Sequence, residues 1–80
     1  DGCSLCFGST TVDANTTVLV KLGGAGWSLT GIPIVSELEG VNTAAASIRL
    51  KDTITSTTFE IYNSDTVNNK KATWMVPCKR

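Results

Sequence analysis

The chain has no histidine among its 80 residues, and only 18% of them are charged. Without an imidazole there is no general base near neutral pH and no Ser-His or Cys-His nucleophile pair. The acidic residues that could act in its place, Glu37, Glu39, Asp52, Glu60 and Asp65, are scattered beside turns. No spacing among them suggests a carboxylate pair for sugar hydrolysis, and each reads as solvated surface charge. The formal net charge is zero, and no run of like charge exceeds the pairs Lys70-Lys71 and Lys79-Arg80. That disfavours electrostatic capture of nucleic acid or anionic lipid. No apolar run is long enough to cross a bilayer as a helix, so no membrane insertion is expected. The reading is of a protein that is not an enzyme and needs no cofactor.

Cysteine is scarce and odd in number: Cys3, Cys6 and Cys78. Cys3-x-x-Cys6 resembles a redox or metal motif. However, no helix signal follows to lower a thiol pKa, and zinc wants four ligands where one chain offers three. If the first and last strands are neighbours, either Cys3 or Cys6 can bridge to Cys78. Such a loop would stabilise by roughly 4 kcal/mol in the chain-entropy model. The remaining thiol could pair with another subunit, which implies an oxidising compartment. The alternative is three reduced, partly buried cysteines. A start at Asp1-Gly2-Cys3, without an initiator Met, suggests a processed product or a fragment.

What the chain does have is threonine and serine, twelve and seven, in alternation with apolar residues. Eighty residues suit one domain. Residues 1–8 read as a strand or arm, with Leu5 and Phe7 on one face and Cys6 on the other; Gly8-Ser9 then loosens the chain. After a turn at Asp13-Ala14-Asn15, a strand is predicted over Thr16 to Leu22, with Val18, Val20 and Leu22 on one face. Asn15-Thr16-Thr17 is also a glycosylation sequon. Gly23-Gly24-Ala25-Gly26 reads as a wide hairpin loop, because strand-like alternation and not a helix follows it. Trp27 and Leu29 would then face the core.

Gly31-Ile32-Pro33-Ile34-Val35 opens the next strand, which continues to Leu38, and Pro33 belongs at a strand start or an edge. Residues 39–42 read as a turn or loop, and a further strand is expected from about Ala45 to Leu50. The main organising stretch is Thr55 to Cys78. It is read as a β-hairpin whose inner face carries Phe59, Ile61, Trp74 and Val76, joined by the polar turn of residues 64–71. Tyr62 has the opposite parity and is expected at a surface or interface. Six to seven short strands at even spacing predict an all-β fold, a small antiparallel β-sandwich.

The order of segments resembles a known family. A Val- and Thr-rich strand is followed by Ile32-Pro33-Ile34-Val35, then Ile48-Arg49-Leu50. Thr55-Ser56-Thr57-Thr58-Phe59-Glu60-Ile61 and Ala72-Thr73-Trp74-Met75-Val76 close the series. From Ser9 to Val76 this is similar to the H-type lectin-like β-sandwich of snail and slime-mould lectins and of bacteriophage tail-fibre proteins. The resemblance implies a trimer about a threefold axis and sugar binding, often of N-acetylgalactosamine, between subunits. Tyr62, Asn63 and Asp65 are the nearest candidates for glycan contact. Pro77-Cys78 and the Cys3–Cys6 segment lie outside the family pattern.

These readings converge on a non-enzymatic structural and adhesion module at an extracellular or virion surface. It would self-associate as a homotrimer or filament and contact a cell-surface glycan. The alternative is a secreted filament subunit or small toxin-like protein crosslinked through its terminal cysteines, a reading prompted also by the dibasic Lys79-Arg80 end.

Overall fold

In the computed structural model, which describes residues 4–38 and 46–80, seven strands form two antiparallel sheets. The strands are β1 (Ser4–Val12), β2 (Thr17–Lys21), β3 (Ser28–Leu29), β4 (Ile34–Leu38), β5 (Ile48–Leu50), β6 (Thr58–Asn63) and β7 (Lys70–Lys79). The first sheet is built on β7, with β1 along one side and β3 and β4 sharing the other. The second runs β2-β6-β5. The predicted all-β antiparallel sandwich is therefore the observed fold.

Parity decides the core. Val12, Ala72, Val76 and Cys78 from the first sheet meet Phe59 and Ile61 from the second and Leu22 just after β2, and all seven are buried. Val18, Val20, Trp27, Leu29, Val35, Ile48, Leu50 and Trp74 pack around them. The Phe59 and Trp74 rings meet edge to face at 5.3 Å across the two layers, a geometry the aromatic quadrupole favours. The inner face expected of Phe59, Ile61, Trp74 and Val76 is thus the one the fold uses.

The connectivity differs from the expected one. β6 and β7 are not a hairpin, since they belong to different sheets and face each other through their side chains. The true hairpin is β5-β6, with Leu50 opposite Ile61 and Ile48 opposite Asn63. The glycine-rich segment is likewise not a hairpin loop. Gly23–Ala25 makes one 3-10 turn, Gly26 takes a left-handed φ of 83°, and the chain crosses from one sheet to the other. Period-two alternation states which side chains face inward, and it is silent on whether the next strand lies beside or across.

Two strand boundaries also move. β1 continues through Gly8-Ser9, where the chain was expected to loosen. A Cβ at Gly8 would lie 2.7 Å from the Trp74 ring, so glycine here admits the indole beneath the strand. β5 begins at Ile48 and not Ala45; the preceding residues 39–45, including the expected turn, lie outside the described ones. The strand expected to open at Gly31 begins at Ile34, and Pro33, which cannot donate to a ladder, is buried immediately ahead of it.

Cys6 and Cys78 are joined by a disulfide across the β1-β7 ladder, with Cα atoms 6.1 Å apart. Cys6 faces inward, opposite Val76 and diagonal to Cys78. The bond ties the first strand to the last. Cys3 lies outside the described residues.

Candidate interaction surface

The two sheets have unlike outer faces. In β2-β6-β5 the outward positions are Thr17, Leu19, Lys21, Arg49, Thr58, Glu60 and Tyr62, mostly polar. In the other sheet, the rule that places Cys6, Val35 and Trp74 inside places Leu5, Phe7, Ile34 and Met75 outside. Their residues are 52%, 73%, 62% and 44% exposed. Phe7, Met75 and Ile34 are in direct register across three strands, forming one apolar row. The next row, Ser9, Thr73 and Ser36, is small. The step between the rows makes a shallow groove of about 440 Å³, lined by Phe7, Ile34, Met75, Ser9, Ser36 and Thr73 with the backbone between them. Contiguous apolar surface rimmed by polar residues marks a contact site.

A polar cluster lies at one end of the sandwich. Lys70, the first residue of β7, is only 4% exposed. Its Nζ donates to Glu37 Oε2 at 3.0 Å and lies 3.9 Å from Asp65 Oδ2. Glu37 Oε1 accepts the Ser47 and Ile48 amides at 2.9 and 3.3 Å, so one side chain joins β4 to the start of β5 in the other sheet. Asp65 Oδ1 accepts the Val67 and Asn68 amides at 2.8 and 2.9 Å, and Oδ2 accepts Asn68 Nδ2 at 3.1 Å. These bonds shape the passage from β6 to β7. Glu37 and Asp65 are therefore not the solvated charges expected of them, because the fold spends their oxygens on main-chain donors and a buried cation.

The same contacts set the acid response. Hydrogen bonds from the Ser47 amide, and then from Lys70, hold the Glu37 carboxyl below its ordinary range against the opposing effect of burial. The Val67 and Asn68 amides lower Asp65 in the same way. A carboxylate whose folded pKa is depressed contributes stability above its unfolded pKa and loses it as pH falls through the folded value. Urea midpoints should therefore be level above about pH 5 and fall below about pH 4, where these groups protonate. Glu37→Gln should flatten the fall, and equal slopes in the two proteins would rule Glu37 out as a source.

The three proposed glycan contacts are not gathered around a cleft. Asn63 is fully buried. Its Nδ2 donates to the Val12 and Asn68 carbonyls at 3.0 and 2.9 Å, and its Oδ1 accepts from Ser47 Oγ and the Asp65 amide. It sits in the wall of the fold and presents nothing to a ligand. The Asp65 carboxylate is committed to its own turn. Tyr62 is half-buried on the polar outer face, its hydroxyl donating to Asn15 Oδ1 at 3.0 Å, with the Lys51 ammonium 5.9 Å from the ring centre. Asn15, the sequon residue, is exposed in a left-handed turn with φ 56°. The groove is on the opposite sheet from Tyr62.

Trp27, Phe59 and Trp74 serve packing, as their parity implied, and the Arg80 guanidinium lies 4.7 Å from the Trp27 ring centre. No family model, curated protein or solved structure matches the chain. Sequence reasoning did not identify the apolar outer face, although its signal was present. Once Trp74 is inward, Met75 must be outward, and Phe7 follows in the same way from Cys6.

Proposed function

We propose that this domain is a non-enzymatic structural and adhesion module of an extracellular or virion assembly, working by self-association. The observation that carries this reading is the apolar row Phe7–Met75–Ile34, with Leu5, on an outer sheet face. The exposed parts of these four residues come to roughly 500 Å², taking the usual sizes of large side chains. That is a substantial part of the roughly 800 Å² that each partner contributes to a standard interface. A second copy is the favoured occupant because zero net charge sets no long-range repulsion between copies. The Cys6–Cys78 bond suits an oxidising compartment. Contact with a cell-surface glycan rests on the resemblance to H-type lectin-like domains alone, and the geometry favours self-association over it.

Sedimentation of the intact chain, with and without reductant, tests the reading. The wild type should associate non-covalently, and Phe7→Lys with Met75→Lys should weaken association at least ~10-fold, since two large apolar contacts are lost. A covalent ladder that collapses in reductant would instead favour crosslinking through Cys3. A wild type that stays monomeric at about millimolar concentration would end the proposal.

A further inference from the structure

The long edge of β1 has its own chemistry. Among the described residues, β1 pairs with β7 on one side, and no strand pairs with it on the other. Pro77 fixes which groups face which way. It has no N–H, and its carbonyl accepts the Thr30 amide at 2.8 Å, on the side of β7 away from β1. Successive residues of a strand turn their main-chain groups to alternate sides. In the register Leu5 opposite Pro77, the even residues Ser4, Cys6, Gly8, Thr10 and Val12 therefore bond β7. Leu5, Phe7, Ser9 and Thr11 point their N–H and C=O groups to the open side.

Natural edge strands are usually protected by charge, proline, a bulge or shortness. β1 has none of these. It is nine residues long, SLCFGSTTV, without charge or proline. Its register with β7 is unbroken from Ser4–Cys78 to Val12–Lys70.

We infer that this edge is a strand-addition site for the β1 strand of a second copy, paired antiparallel about Gly8. Gly8 is the midpoint of Ser4–Val12, so this register overlaps the whole strand. Leu5 then lies opposite the partner's Thr11, and Phe7 opposite the partner's Ser9. Each of the four edge-facing residues exchanges both main-chain groups. The pairing is self-complementary, as a twofold contact requires, and it brings no charge into the edge. It also continues the apolar row: Phe7 comes diagonal to its symmetry mate, and the two outer faces become one. A charged strand could make the same hydrogen bonds but would set its charges beside Leu5 and Phe7. The inference rests on the self-association reading and names one of its contacts.

The test uses proline. Ser9→Pro removes an N–H that faces the open side and leaves the bonds to β7 intact, so the fold should survive. Thr10→Pro removes a bond to β7 and should destabilise the domain. Ser9→Pro is expected to keep the wild-type circular-dichroism spectrum, and the wild-type melting temperature at concentrations where both proteins are monomeric, while weakening association at least tenfold. In the wild type, amide exchange at Phe7 and Ser9 should slow as concentration rises. If Ser9→Pro fails to fold, Thr11→Pro and the wild-type exchange data decide the matter.

Ser9→Pro associating as tightly as wild type, with Phe7→Lys/Met75→Lys monomeric, would overturn the edge contact while leaving self-association standing. Exchange at Phe7 and Ser9 that is slow even where the protein sediments as a monomer would assign the edge to this chain's own residues and overturn the inference. A monomeric wild type would remove both readings together.

Discussion

Removing the Cys6–Cys78 bond, by reductant or by Cys6→Ser with Cys78→Ser, is expected to lower stability by about 4 kcal/mol. The bond closes a separation of 72 residues, nearly the whole chain, so it withdraws a large share of the unfolded chain's freedom. A domain of this size has a total stability of only about 4–12 kcal/mol. The melting temperature should therefore fall by at least ~15 °C. The comparison belongs in a Cys3→Ser background, so that the third thiol cannot exchange with the pair. A fall of only a few degrees would mean that β1 is held by its ladder and packing alone.

Asn63→Ala should be comparably severe, costing about 3 kcal/mol or more. The side chain is fully buried and bridges three segments: the end of β1 through Val12, the β5 approach through Ser47, and the β6–β7 passage through Asn68 and Asp65. Its loss leaves carbonyls, an amide and a hydroxyl without their partner in the interior, each at about 1–3 kcal/mol unless water enters. Asn63→Asp should do little better, because it turns a carboxylate oxygen toward the Val12 and Asn68 carbonyls. Urea unfolding checks this. A midpoint near wild type would return Asn63 to the surface role that its neighbourhood with Tyr62 suggested.

Asn63 also shows where sequence reasoning reaches its limit. In the strand Thr58–Asn63 it shares parity with Phe59 and Ile61, so alternation alone marks it as inward. Its place beside Ser64 and Asp65 marks it equally well as a turn former. Burial of a polar side chain requires partners, and these come from residues distant in sequence such as Val12 and Ser47. Lys70 follows the same logic: at the end of a polar run it reads as solvated, and its burial relies on partners such as Glu37 of β4 and Asp65 of the preceding turn.

The apolar outer row was more nearly legible. Leu5, Phe7, Ile34 and Met75 each stand next to an inward residue, so their orientation follows once Cys6, Val35 and Trp74 are placed. That they form one surface does not follow, because it depends on β1 and β4 flanking the same strand.

Local alternation of apolar and threonine-rich positions by itself determined that this protein is a two-layer β fold, with Phe59, Ile61, Trp74 and Val76 turned inward. Steric period and the aversion of apolar groups to water act residue by residue, so a single chain displays them. Only the tertiary structure decided that β7 joins β1 and not β6, that Cys6 is the partner of Cys78, and that, among the described residues, no strand pairs with the outer edge of β1. Backbone hydrogen bonds are chemically the same for every residue but proline. Which strand answers which is therefore settled by the packing of the whole molecule.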